Sequence, residues 1–245
     1  MKYFDAHCHI QLSEYDEDRF QVLKRMQDAG VGGLVVGVDF KSSENAVELV
    51  RAYGATDSNI QMYTAVGLHP NDTDEPYNAE GFEELARQPE VVAIGECGLD
   101  YYRTDVSAHP DAKALQKDIF EQQIELAVKY DKPLMIHSRP SKGSQDAYSD
   151  TLDMIRSKKR EYGDRLKGDM HFFVGGVDEA RQFVELDFTM SYTAVITFSS
   201  DYDEVIQYVP IANLLSETDS PFSSPTIMLL AVSQYSTCAH KKNLS

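Results

Sequence analysis

His7 and His9 stand two residues apart near the start of the chain. On an extended strand, side chains so spaced point to the same face, with Cβ atoms ~7 Å apart. Two imidazoles on one face can grip one cation. An isolated pair of this kind is more often two ordinary histidines than a site, so the pattern has to be read with the other polar residues. The seven histidines are His7, His9, His69, His109, His137, His171 and His240. Five of them, His7, His9, His69, His137 and His171, fall in or just past short apolar runs, and Glu96 and Asp219 end two more. Imidazoles with carboxylates suit Zn²⁺, Mn²⁺ or similar ions, and a bridging carboxylate permits two ions ~3.5–4 Å apart. The chemistry such a set supports is hydrolysis by a metal-activated water.

What would gather these residues is the order of the elements. Short β-type runs are expected over residues 2–7, 33–38, 62–67, 91–95, 133–136, 169–174, 188–193 and 213–217. Several are nearly continuous in Val, Ile, Leu and Ala, as in strands buried on both faces of a parallel sheet. Helical patterns lie between them, over 16–29, 43–53, 79–87, 112–130, 149–162, 177–186 and 202–208. The first sets Phe20, Val22, Leu23 and Met26 at helical spacing and ends at Gly30, and the fourth carries Leu115, Ile119, Ile124, Leu126 and Val128 on or near one face. Eight strands alternating with helices predict an α/β fold, a (β/α)8 TIM barrel, in one domain over 1–245. The runner-up is an open doubly wound sheet, but no Gly-rich dinucleotide loop follows the first strand. In a parallel barrel the strand C-termini meet at one rim, where the active site lies.

Composition restricts the partners. The chain has 245 residues, 42% hydrophobic and 26% charged, which suits a folded domain rather than a disordered one. Twenty-three Lys and Arg against 40 Asp and Glu give a net charge of −17. A protein so acidic does not attract nucleic acid or anionic membrane in general, and contact with a phosphate needs a local device such as a metal ion. No apolar run is long enough to span a bilayer, and the first residues lack a signal-peptide core, so a cytoplasmic location is expected. Three scattered cysteines exclude a disulfide scaffold.

Read with their neighbours, these residues resemble the TatD family of metal-dependent deoxyribonucleases, within the wider amidohydrolase-like barrels. The matching blocks are Phe4-Asp5-Ala6-His7-Cys8-His9, Ala65-Val66-Gly67-Leu68-His69-Pro70 and Ala93-Ile94-Gly95-Glu96-Cys97-Gly98-Leu99-Asp100-Tyr101. They continue with Pro133-Leu134-Met135-Ile136-His137-Ser138-Arg139, His171-Phe172-Phe173-Val174-Gly175 and Glu217-Thr218-Asp219-Ser220-Pro221. Together they run in the family's order from residue 3 to about 222. The resemblance implies one metal on His7, His9, Glu96 and Asp219, a second on Glu96, His137 and His171, and His69 and Arg139 facing the substrate phosphate. It implies a 3′→5′ exonuclease acting on single-stranded or frayed DNA with two divalent ions (Mg, Mn or Zn). Metals of this kind lower the pKa of water from ~15.7 to ~7, and Asp219 is the best candidate to take the proton, with Glu96 beside it. A monomer without membrane contacts is expected.

Plainer readings stand beside these. Cys8 and Cys97 should point away from the neighbouring ligands, into packing. Arg156, Lys158, Lys159, Arg160, Arg165 and Lys167 form the one concentrated basic stretch, better read as a solvated helix end than as a nucleic-acid track. Tyr101 and Tyr102 would either stack on a base or cover the barrel mouth by packing. His109 and His240 match no block and are expected at the surface. After Phe222 the family's next segment is not visible, and the tail 223–245 looks atypical, as a truncation or shifted frame would leave it. Either Ile227, Leu229 and Leu230 form a short substitute helix, or the last helix is incomplete and the flank between the eighth and first strands is partly uncovered, at a cost in stability. Two other functions stay open: hydrolysis of a different ester, amide or phosphoester at the same binuclear site, and a non-catalytic fragment.

Overall fold

The computed structural model describes residues 1–54, 60–73, 76–104 and 111–222. His109, His240 and the tail 223–245 lie outside the described residues. Eight parallel strands form one sheet in sequential order. They are β1 (Tyr3–Cys8), β2 (Val31–Val36), β3 (Met62–Val66), β4 (Val91–Asp100), β5 (Leu134–Arg139), β6 (Gly168–Met170), β7 (Thr189–Tyr192) and β8 (Leu214–Ser216). The seven described α-helices are α1 (Arg19–Ala29), α2 (Phe40–Gly54), α3 (Ala79–Ala86), α4 (Ala112–Lys129), α5 (Asp146–Tyr162), α6 (Val177–Glu185) and α7 (Asp203–Tyr208). Strand order that never reverses excludes the doubly wound alternative, which needs a switch point. The fold is the TIM barrel.

The circle is completed between β8 and β1 by few ladder bonds. Asp219 N donates to His7 O at 2.9 Å and His9 N to Ser220 O at 2.9 Å. A side chain completes the seam. The buried Asp5 carboxylate accepts from Thr218 N at 2.9 Å and from Thr218 Oγ1 at 2.8 Å. These contacts position His7, His9 and Asp219 together, because all three sit at that seam.

Most of the core lies between the sheet and the helices, with Phe120, Ile124, Leu134, Phe183 and Phe188 fully or almost fully buried. α4 does more than pack. Its buried Gln123 accepts from Leu68 N at 2.8 Å and donates to Leu68 O at 3.0 Å. Gln116 does the same for Asp100, at 3.0 and 3.2 Å. Two amides seven residues apart thus hold the ends of β3 and β4, which carry the site.

Several expectations change. Phe20 is 86% exposed and Leu115 is 44% exposed, so neither joins the core face that helical spacing suggested. β4 does not stop at Gly95 but continues to Asp100 through an irregularity between Ile94 and Cys97. Gly95 and Gly98 adopt φ of +153° and +127°, and a Cβ there would lie 2.4 Å from Met135 O and 2.1 Å from His137 O. Only glycine lets β4 pass this close to β5 on either side of Glu96. β6 is shorter than expected and ends at Met170, so His171 sits just past the strand rather than early in it. Cys8 and Cys97 are buried free thiols, as strand alternation requires.

Candidate metal centre

The C-terminal rim of the barrel encloses a cavity of about 590 Å³, lined by His9, His69, Glu96, His137, His171 and Asp219 among others. Glu96 is its hub. Its Oε2 lies 3.5 Å from His7 Nε2 and 3.8 Å from His9 Nε2. Its Oε1 lies 3.0 Å from His137 Nδ1, 3.7 Å from His69 Nε2 and 3.8 Å from His171 Nε2. Asp219 Oδ1 is 3.5 Å from His9 Nε2 and 4.0 Å from His171 Nε2. Five of the six residues named as ligands from the sequence line one cavity, and the sixth, the fully buried His7, lies 3.5 Å from Glu96. One carboxylate faces two sets of imidazoles through its two oxygens, the arrangement a bridging ligand needs.

The outer nitrogens are committed. His9 Nδ1 lies 2.7 Å from Val36 O, so it donates its proton there and leaves Nε2 with a free lone pair. His171 Nδ1 lies 2.9 Å from Glu217 Oε2, and His137 Nε2 lies 3.2 Å from Asp100 Oδ2. In each case a carboxylate or carbonyl holds one nitrogen and turns the other inward, which is how metal-binding imidazoles are oriented. His69 is set the other way. Asn71 N donates to His69 Nδ1 at 3.2 Å, so the proton is on Nε2, facing the cavity as a donor.

The donor set fits divalent cations on its own chemistry. His7 Nε2 and His9 Nε2 lie 3.0 Å apart, and the buried His7 Nδ1 has no hydrogen-bond partner among the described residues. A cation taken by both inward lone pairs satisfies nitrogens that otherwise compete for one proton. Among the described residues three groups place ligand atoms within 4.8 Å of one another: His7, Glu96 and His171; His7, His9 and Asp219; His69, Asp100 and His137. The second follows the sequence expectation. The others partition differently, since His171 stacks on His7 at 3.5 Å between ring centroids, while His137 lies beside His69 at 4.5 Å.

Electrostatics agree with a site built for charge exchange. Burial pushes the Glu96 carboxyl up, but His69, His137 and His7 outweigh it and hold it well below the carboxylate range. Asp219 is lowered against burial by His9, His171 and His7. Burial and neighbouring His171 hold His7 down at about 4, and burial holds His69 at about 3 despite Glu96. His171 instead rises to about 10, because Glu217, Glu96 and Asp219 outweigh burial. The two kinds of histidine, held neutral and held charged, sit within one cavity.

Arg139 lines the same cavity, its guanidinium carbon 4.1 Å from the centre of the Tyr102 ring. Tyr101 is buried and its hydroxyl donates to Asp150 at 2.7 Å, so it packs, whereas Tyr102 is 53% exposed. The basic stretch faces elsewhere. Lys158 pairs with Glu121 and Glu125 on α4, and Lys167 pairs with Asp131. Asp100, Glu217, Arg103 and Asp5 were not singled out from the sequence. Asp5, Asp100 and Glu217 lay inside the quoted blocks, and Glu217 is two residues before Asp219, the same spacing that drew attention to His7 and His9.

A (β/α)8 barrel with convergent imidazoles and carboxylates at its C-terminal rim defines a metal-dependent hydrolase. The family model of TatD related DNases matches residues 4–242, and the chain belongs to that family. This match runs past Phe222 into the tail, further than the six motif blocks. The chain is 33% identical over 227 residues to the uncharacterized metal-dependent hydrolase YabD of Bacillus subtilis, covering 91% of this chain and 81% of that protein. It is 30% identical over 229 residues to the 3′-5′ ssDNA/RNA exonuclease TatD of Shigella flexneri, covering 91% and 80%. The crystal structure of YjjV, a TatD homologue from Escherichia coli, superposes with a TM-score of 0.72 at 28% identity, covering 90% of this chain and 80% of that one. No described helix is long and apolar enough to cross a membrane.

Proposed function

We propose that this metal-dependent hydrolase is a 3′→5′ exonuclease that removes nucleotides from single-stranded or frayed DNA ends with two divalent ions. The observation that carries the reading is Glu96, whose two oxygens face two sets of imidazoles in one cavity. His7, His9, Glu96 and Asp219 would hold one ion, and Glu96, His137 and His171 the second. When bound, the ions supply a water acidic enough to lose its proton near neutral pH.

The chain's own groups do the rest. Asp219 accepts the water's proton at a carboxylate oxygen, kept ionised by His9 and His171. His69 donates from Nε2 to a non-bridging phosphoryl oxygen, its neutrality enforced by burial. Arg139, fixed over Tyr102, offers a planar fork to the phosphate. Asp100 and Glu217 orient His137 and His171. One chain carries every side chain of the site, so the monomer is the working unit. We place it in the cytoplasm, where the thiols of Cys8 and Cys97 stay reduced.

The test is metal-loaded protein incubated with a single-stranded oligonucleotide whose 5′ end is labelled. Stepwise shortening that requires Mg²⁺, Mn²⁺ or Zn²⁺ and stops with chelator is expected. An unchanged oligonucleotide with each ion would remove the nuclease assignment and leave the hydrolase class.

A further inference from the structure

The cavity has two unlike sides. Arg103 and Arg139 line it on the β4 and β5 side, and neither guanidinium is in an ion pair with a carboxylate among the described residues, although the backbone N of Arg103 donates to Asp100 Oδ1 at 2.9 Å. The side formed after β6 and β8 is apolar, with Phe172, Val174 and Phe222. Val174 is 42% exposed and Phe222 is 62% exposed, although both stand at the edge of a polar site.

The backbone holds this apolar side at a cost. Phe172 has φ of +44°, a left-handed conformation that a bulky side chain rarely adopts. Such outliers persist where the surroundings over-determine them. Here the surrounding group is Glu217. Its Oε1 accepts from Phe172 N at 2.8 Å, while its Oε2 lies 2.9 Å from His171 Nδ1. One buried carboxylate therefore sets both the inward nitrogen of His171 and the turn that presents the next side chain. The Phe172 ring stands edge-on to the His171 ring at 6.0 Å, and Phe222 stands edge-on to His9 at 5.4 Å. Both rings thus flank the imidazoles of the metal centre.

We propose that Phe172, with Val174 and Phe222, forms a wall that takes the nucleobase of the nucleotide being released, while Arg103, on the arginine side, takes a phosphate of the remaining strand. This deepens the exonuclease reading and rests on it. The occupant follows from the chemistry of the two sides. A ligand that is planar and apolar at one end and anionic at the other complements both, with its phosphate at the centre. A cavity of about 590 Å³ is the size of a small-ligand site and suits one terminal nucleotide. Stacking on a phenyl ring is tolerant of sequence, since every base has a π-face, so the wall gives affinity for a base rather than for a particular base.

The experiment compares binding of deoxyadenosine 5′-monophosphate with that of deoxyribose 5-phosphate to metal-loaded protein, by titration calorimetry. The wild-type chain is expected to prefer the nucleotide by about tenfold, the scale of one base–aromatic stack. Phe172→Ala should bring the two ligands within about twofold, and Phe172→Tyr should retain the preference. Phe222→Ala, at an exposed position, should reduce it independently of any folding defect at 172. Metal content and melting temperature should stay at wild-type values in all three variants. Equal binding of both ligands by the wild type, or an unchanged preference in both alanine variants, would overturn the wall. Failure of the exonuclease reading shows separately, as an oligonucleotide that is not shortened while base preference persists.

Discussion

The barrel has two mouths, and the larger is not the one that gathers the imidazoles. At the N-terminal ends of the strands a cavity of about 750 Å³ is lined by Phe4, Leu34, Leu134, Asp169 and Thr189 among others. The cavity at the opposite rim is smaller, about 590 Å³. Each mouth holds a buried aspartate. At the bottom, both oxygens of Asp169 are occupied, by Thr189 Oγ1 at 2.6 Å and Ser191 Oγ at 2.6 Å. Burial, then the charge of Glu217, raises its carboxyl to about 6. At the top, Asp219 faces imidazole nitrogens whose opposite nitrogens are already held, and it stays below the ordinary carboxylate value. What sets the rim apart is its convergence of imidazoles and carboxylates, not the volume of its cavity.

The sharpest break of this contrast is Glu96→Gln. It removes the charge that both imidazole sets face, so metal affinity and hydrolysis should each fall more than about a hundredfold, beyond the ~10–100-fold typical of outer ligand partners. Metal content after dialysis checks it, and wild-type retention of metal would refute the hub role. Next comes Glu217→Gln, which leaves one acceptor where two are needed. Metal affinity should drop by about 10–100-fold while the far-ultraviolet spectrum is unchanged. At the other mouth, Ser191→Ala deprives Asp169 of a buried donor. A loss of about 1–3 kcal/mol in denaturant titration is expected, with metal affinity unaffected. A fall in metal affinity there would show that the two mouths are coupled.

The smallest effect lies outside both mouths, in the loop that follows Arg139. Asp146 accepts from Ser141 N at 2.9 Å and from Lys113 Nζ at 2.8 Å. Partial burial pushes its carboxyl up, but Lys113 and Ser141 outweigh this and lower it from 3.8 to about 2. A depressed acid contributes stability that is present above its unfolded value and is lost as pH falls through the folded one. The difference in stability between wild type and Asp146→Asn should thus be constant near neutrality and vanish between pH 3.8 and about 2. A difference that persists at the acid end would show that the carboxylate is not what braces the loop. The group is about a third exposed, so the effect is small.

Much of this was legible from the chain alone. Continuous apolar runs alternating with amphipathic stretches point to a parallel sheet covered by helices, and the lack of a Gly-rich dinucleotide loop after the first run favours the barrel over the doubly wound sheet. His7, His9, Glu96, His137, His171 and Asp219 could be named because each lies in or just past such a run and within a block that resembles the TatD family. Periodicity misled where it had no knowledge of neighbours. Phe20 and Leu115 keep helical spacing yet face water, because which arc of a helix is covered depends on what packs there. The length of β4 was missed because glycines usually interrupt a strand, while here Gly95 and Gly98 permit its close passage by β5.

The sequence by itself determined the class of fold, the chemical type of the ligands and the rim on which they meet. These follow from local pattern and from the one-way polarity of a parallel barrel. Only the tertiary structure decided which nitrogen of each histidine turns inward, that Asp100 and Glu217 hold His137 and His171, and that Phe172 is bent toward the metal centre. Except for His69, held by the nearby Asn71, these depend on hydrogen bonds between residues 27 to 46 positions apart, and no local pattern specifies such a pair.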